Sequence, residues 1–394
     1  MERKNDPRPP RADLSRRDFL RAAAVTGVLG ATSWTWARRR ASSLDWWTAW
    51  ASRVRIDAPQ DGRDVTDLIQ AQIDSVPDNS IIVFRPGRYR CEGSLRVRNR
   101  TGLKFFGPAT FYATQNGELD LQGMSQRRHW WFSRCRDIRV DRLSVVSTNT
   151  VPDQREGFGA YQAKYEFEHG FAIHESENIA VTNCSTFGTW GDGLYIGNQR
   201  PSRNVLVRNL TVEYNGRQGV ALSNANGVVL SDIQIKNTRR AGFDLEPATD
   251  SWYVRNVEIS NSFINGYHVA FAAAGVGDVS NIFVHHNVIK GPGVPWVFAG
   301  ASNGYHRRNW RVHDNRVLDT LGSPMPALLF AHMQDVSILR NVSPISLTQS
   351  RLAIRFDDCH ERLEVRNNDF REASRLYEQV NGSAPVSASD NLLS

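Results

Sequence analysis

Between residues 170 and 269 one short pattern returns: glycine, apolar residue, variable residue, apolar residue. It appears as Gly170-Phe171-Ala172-Ile173, Gly193-Leu194-Tyr195-Ile196, Gly219-Val220-Ala221-Leu222, Gly242-Phe243-Asp244-Leu245 and Gly266-Tyr267-His268-Val269. Successive glycines lie 23 to 26 residues apart. A fixed period of this size marks a solenoid, in which each repeat buries its apolar face on the next. Apolar residues at every second position predict strands with one face buried. The variable residues then point outward and stack into a column: Ala172, Tyr195, Ala221, Asp244, His268. His174, Ser223, Glu246 and Ala270 follow two residues along, so the column reads as the floor of a groove.

A second pattern alternates with the first: alternating apolar residues that end in Asn or Asp. Examples are Asn178-Ile179-Ala180-Val181-Thr182-Asn183, Asn204-Val205-Leu206-Val207-Arg208-Asn209 and Asn281-Ile282-Phe283-Val284-His285-His286-Asn287. Asn and Asp tolerate the left-handed backbone of tight corners and can bond to the same corner one coil away. The pattern predicts an all-β parallel solenoid of about ten coils, with two or three strands in each. Near its start, Asp64–Ile73 has the spacing of a short helix, and Ile81–Phe84 reads as a strand closed by Arg85-Pro86-Gly87. A helix there would cap the apolar end of the stack.

One coil is too long. The excess lies in 148–168, which carries Phe158, Tyr161, Tyr165 and Phe167. Long loops on rigid scaffolds often carry function, so Tyr161 and Tyr165 are candidate sugar-binding residues. The stretch 296–310, with Trp296, Tyr305, His306 and Trp310, is the candidate opposite wall. Residues from about 371 read as a polar tail.

Charge changes this picture little. The net charge is +7, but residues 1–40 carry ten Arg and Lys against four acids. The remainder holds 38 basic and 37 acidic residues, so the folded part gives no signature of nucleic-acid binding. The four cysteines (Cys91, Cys135, Cys184, Cys359) show no metal-ligand spacing and read as core thiols.

Residues 1–40 form a separate segment. Ser15-Arg16-Arg17-Asp18-Phe19-Leu20-Arg21, followed by the uncharged run Ala22–Trp36, resembles a twin-arginine export signal. That resemblance implies passage through the twin-arginine machinery to the periplasm or beyond. The apolar run is short of the roughly 20 residues that span a bilayer. No stable membrane span is therefore expected unless the signal stays uncleaved, and residues 41–394 form the solenoid domain.

Asp192, Asp244 and Glu246 are the candidate catalytic carboxylates, with His268 beside them. Asp244 and Glu246 share a strand face, so their Cα atoms lie ~6.5–7 Å apart, and Asp192 lies two coils away, at about 10 Å. Inverting glycosidases hold their carboxyl pair about 6.5–9.5 Å apart and retaining ones about 5–5.5 Å, so the spacing leans to inversion. No cofactor is required for this. The same three carboxylates could instead hold Ca²⁺. Arg217, Tyr195 or His268 could then act as base and acid in a β-elimination. Tyr195, Arg217 and His174 are otherwise candidate substrate-binding residues. A surface ion network of Asp244 and Glu246 with Arg217, Arg239 and Arg240 is the inert alternative.

Three stretches carry a wider resemblance: Trp190-Gly191-Asp192-Gly193-Leu194-Tyr195-Ile196-Gly197, Arg217-Gln218-Gly219-Val220 and Ala241-Gly242-Phe243-Asp244-Leu245-Glu246-Pro247. With the Asp-Gly, helix, Ile-Val-Phe-Arg-Pro-Gly opening, residues 57–370 resemble the pectate-lyase-like proteins. The resemblance implies a right-handed parallel β-helix with a capping helix. It also implies a polysaccharide as partner, cleaved by a hydrolase or lyase or altered by a uronate epimerase. A non-catalytic glycan-binding envelope protein is a further reading. Polygalacturonases carry an Asp-Asp pair, Gly-His-Gly and Arg-Ile-Lys; none of these occurs in the three stretches, and Gly-His-Gly and Arg-Ile-Lys occur nowhere in the chain.

Overall fold

Strand after strand pairs in parallel with the strand one coil further on, as a period near 25 residues requires. The computed structural model describes residues 52–149, 159–266, 268–291, 295–300, 307–319, 325–343 and 351–393. The twin-arginine-like segment, Phe158, Tyr267, Tyr305 and His306 lie outside them. One sheet has eleven strands, one from each coil, from Leu95–Arg98 at one end to Arg375–Val380 at the other. A second sheet of 20 strands takes up most of the rest of each coil. The chain is thus an all-β right-handed parallel β-helix, with slightly more coils than the ten expected.

The apolar positions do what their period of two dictates. Leu95, Trp130, Phe171, Leu194, Val220, Phe243 and Phe271 stack as one inward row of the eleven-stranded sheet, all buried. Phe243 and Phe271 lie face to face at 5.5 Å. Each such side chain contributes about 1.5–3 kcal/mol by leaving water, so the row fixes the register. The four cysteines are buried in the same core.

The glycines are required by the approach of neighbouring coils. A Cβ on Gly219 would lie 2.6 Å from the Gly242 carbonyl, and one on Gly170 would lie 2.6 Å from that of Gly193. The fifth copy of the pattern breaks this register. Phe243 pairs with Phe271 and Asp244 with Ala272, so Ala270, not Gly266, continues the glycine column. Gly266 instead turns a corner at φ 74°, stacked on Asn237.

The Asn/Asp positions form corner ladders. Asn183, Asn209, Asp232, Asn261, His286, Asp314, Arg340, Asn367 and Asp390 all have φ between 53° and 57°. The Asn209 amide donates to Asn183 Oδ1 at 2.7 Å. A buried ladder of Asn287, Asn315, Asn341 and Asn368 runs beside it, each amide donating to the next Oδ1 at 2.9–3.0 Å.

The capping helix spans Thr66–Ser75 and buries Ile69 and Ile73 on the first coil. Its Gln70 side chain bonds both the Arg96 N–H (2.7 Å) and the Arg96 carbonyl (2.8 Å). It thereby satisfies the open edge of the first strand. At the far end, Arg375–Val380 and Val386–Ser389 pair with the preceding coil, so this stretch is a further turn of the solenoid and not a loose tail. Trp296 and Trp310 are buried, so neither forms a groove wall.

Candidate functional site

The outward column of the eleven-stranded sheet reads Arg96, Trp131, Ala172, Tyr195, Ala221, Asp244, Ala272. His268 is absent from it. The residue is displaced to a different row, where its N–H bonds the Arg240 carbonyl at 2.9 Å. With Ala160, Tyr161, Arg239 and Arg240, exposed His268 lines a surface pocket. The shifted phrase misplaced it, because the corner at Gly266 imitates the strand glycine.

Asp192 ends the turn before the strand Leu194–Ile196 and is fully buried. Its Oδ1 accepts the Gln218 backbone N–H at 3.0 Å. Gln218 in turn donates its side-chain amide to Asp244 Oδ2 at 2.7 Å. Asp244 faces outward as expected, yet only 5 % of it is exposed, so the site is enclosed and not an open floor. Its buried carboxyl is pushed well above the usual carboxylate range, by desolvation first and then by the neighbouring charge of Glu246. Burial also raises Asp192, to about 6, against the opposing pull of Arg217.

Arg217 holds the middle of the site. Its Nη1 lies 3.9 Å from Asp192 and its Nε 3.9 Å from Glu166. Asp192 raises its pKa, so the guanidinium is a fixed positive charge and not a base. The ring of His169 stacks flat on Tyr195 at 4.8 Å, and its Nδ1 accepts the Asp192 N–H at 3.1 Å. Burial, then the charge of Arg128, drives His169 far below its usual pKa, so the imidazole is neutral. The 3.3 Å approach of His169 to Asp192 is therefore not an ion pair. His174 is likewise neutral, lowered to about 3 by burial, and accepts the Trp131 indole N–H at 3.1 Å. His174 also packs edge-on against Tyr195 at 5.5 Å, completing an aromatic wall.

Several buried polar atoms here have no hydrogen-bond partner: Asp192 Oδ2, Gln218 Oε1, Asp244 Oδ1, Arg217 Nε and His174 Nε2. Native interiors rarely leave such atoms orphaned, so water or another polar group would complete them. The Ca²⁺ arrangement finds less support. Among the described residues, the group whose ligand atoms lie close enough for a metal is His286, His313 and Asp314, not Asp192, Asp244 and Glu246.

Of the loop tyrosines, Tyr161 reaches the edge of the site. Its hydroxyl donates to Glu166 at 3.1 Å, and Arg240 lies over its ring at 4.4 Å. Tyr165 does not; it is buried against Trp190 at 5.5 Å. The residues that pattern reading missed are Gln218, His169, Glu166 and a cationic platform around Trp131. Three guanidiniums, those of Arg98, Arg128 and Arg96, lie 4.3, 5.1 and 5.8 Å from the Trp131 ring. The alternation Leu95-Arg96-Val97-Arg98, in register with Trp130-Trp131, was the available signal.

Residues 164–317 match the family model described as a right-handed beta helix region. No curated protein matches the chain in sequence. The solved structures that share its fold at low identity include a phage tailspike, an exopolygalacturonase and a surface adhesin. A double mutant of the tailspike of E. coli bacteriophage HK620, in complex with a pentasaccharide, is 13 % identical, with TM-score 0.60 over 87 % of this chain and 67 % of the tailspike. A family 28 exopolygalacturonase of Yersinia enterocolitica is 12 % identical, with TM-score 0.55 over 87 % of this chain and 78 % of the enzyme. PfbA, a surface adhesin of Streptococcus pneumoniae, is 14 % identical, with TM-score 0.52 over 87 % of this chain and 93 % of the adhesin. At these identities the likeness establishes the fold alone.

Proposed function

We propose that the protein is an exported glycoside hydrolase that cleaves an acidic polysaccharide by single displacement. The observation that carries the reading is the pair Asp192 and Asp244, buried two coils apart and both with raised pKa. Asp244, whose proton is favoured by burial and by Glu246, serves as general acid to the leaving oxygen. Asp192, ionised above about pH 6 beside Arg217, serves as base to the attacking water. Gln218 stands between them, bonded to both, and a pair acting by single displacement must leave room for a water. Tyr195 supplies an apolar ring face to the sugar, and Arg217 opposes negative charge. The platform of Arg96, Arg98 and Arg128 at Trp131 lies about 19 Å from Asp244, four coil steps along the column, and suits an anionic sugar.

Elimination is less favoured because, of its candidate bases, Arg217 is held protonated, burial raises Tyr195, and His268 lies outside the column. The pentasaccharide in the tailspike complex and the activity in the exopolygalacturonase's name agree with a glycan ligand. The adhesin keeps a purely binding role open as a second reading. Incubation with a panel of acidic and neutral polysaccharides separates them. New reducing ends without an unsaturated-uronate absorbance support hydrolysis; reducing ends with that absorbance mean a lyase; retention without cleavage means a binding protein. The segment Ser15–Arg21 supports export, and Arg16→Lys with Arg17→Lys should hold the chain in the cytoplasm. Unaltered export of that double variant would remove the assignment.

A further inference from the structure

The 20-stranded sheet carries a second cluster of titratable side chains, away from the carboxylate site. Its corner ladder consists of Asn and Asp in most coils, because those residues accept φ near +55° most readily. In one coil the position holds His286, and the next coil stacks Asp314 on it. His285 and His313 pair across the same two coils, with their rings face to face at 4.9 Å. His286 stands perpendicular to both, 5.1 and 6.1 Å away. One ligand atom from each of His286, His313 and Asp314 lies within 4.8 Å of the others.

We infer that His286, His313 and Asp314 bind a divalent transition-metal ion, of the zinc or nickel class, as a clasp between adjacent coils. Two imidazoles and one carboxylate suit such ions, whereas Ca²⁺ demands six or more oxygens. His285 Nδ1 and His286 Nδ1 share a hydrogen bond at 2.9 Å, in which one ring donates its N–H and the other accepts it, so the two rings are held in fixed orientation. Asp314 is held in place by hydrogen bonds with His313 and Arg340. The His313 contact is 2.7 Å, and Arg340 makes two of 2.8 Å. Metal binding shifts Asp314 from this shared bonding to the ion, and Arg340 remains as a partner to its second oxygen. Nearby, the His285 ring lies 3.4 Å from Glu258, an orienting contact of the kind that fixes a ring beside a metal.

The test uses the full chain without a histidine tag, titrated with Zn²⁺, Ni²⁺ and, as a control, Ca²⁺. One equivalent of Zn²⁺ or Ni²⁺ should bind and raise the melting temperature, with reversal by chelator and no effect of Ca²⁺. His286→Asn and Asp314→Asn place ladder-type residues at ladder positions, so both should fold. Each should weaken binding by at least ~10-fold while leaving the metal-free melting temperature within a few degrees. His268→Ala, which lies outside the cluster just before a strand of the eleven-stranded sheet, should bind as the wild type does. No saturable binding, or equal binding by His286→Asn and wild type, overturns the inference. Polysaccharide cleavage plays no part in this readout, so the inference and the hydrolase reading stand or fall separately.

Discussion

Asp192 and Asp244 are linked through one residue: Gln218 gives its backbone N–H to the first and its side-chain amide to the second. The bridge spends one amide on each and leaves Asp192 Oδ2 and Asp244 Oδ1 without partners. It positions the pair without neutralising it.

If this pair is catalytic, Asp192→Asn and Asp244→Asn should each lower kcat on a cleaved polysaccharide by about 100-fold or more, since amides cannot exchange the proton. His268→Ala should keep the rate within a few-fold, because the residue lies outside the column. Measuring kcat and KM for the three variants decides the matter. A large fall in kcat for His268→Ala, with both Asn variants active, would sink the assignment.

The pH dependence has a definite sign. Asp192 must be ionised to act as base, so the rate should rise through about pH 6. Asp244 must stay protonated to act as acid, and its pKa lies above that of Asp192 because Glu246 adds to its burial. The profile of kcat/KM should therefore be bell-shaped. Glu246→Gln removes the adjacent charge and should move the alkaline limb to lower pH. An alkaline limb that stays in place in that variant would remove Asp244 from the acid's role.

The same burial costs stability. A carboxyl raised from 3.8 to about 6 on folding binds its proton more tightly in the native state. Its contribution is full below pH 3.8 and is lost as pH rises through about 6. The loss is at most roughly 3 kcal/mol for Asp192. Asp192→Asn should therefore melt higher than wild type at pH 8 and lose that advantage near pH 4. Thermal unfolding of both proteins at the two pH values checks it; a variant that melts lower at pH 8 contradicts the argument.

Gly219 tests the stacking itself. In Gly219→Ala the new methyl meets the Gly242 carbonyl at 2.6 Å, and this is backbone that cannot swing aside. The expected loss is about 1–3 kcal/mol, read as a lower denaturant midpoint. Gly123→Ala is the contrasting control for packing, since a Cβ there meets nothing within 4 Å. It still carries the strain of φ 74°, so its loss should come from the backbone alone and be the smaller.

The sequence alone determined the solenoid, because a parallel stack writes itself into one dimension. Apolar residues such as Phe243 and Leu245 recur at a period of two within strands that recur every coil, and only one register buries them all. The corner Asn and Asp residues and the capping helix were legible for the same reason: each answers a local backbone demand. The outward position of Asp244 followed from that register as well. What the tertiary structure decided was which residues meet across coils. Coil lengths vary by a few residues, so a corner glycine at Gly266 counterfeited a strand glycine and carried His268 out of the column. Gln218 and His169 gave no local sign of their roles, since each acts on a carboxylate in a neighbouring coil. Burial was equally hidden, because exposure of Asp244 depends on what packs over its sheet, and nothing in the alternation of a strand records that.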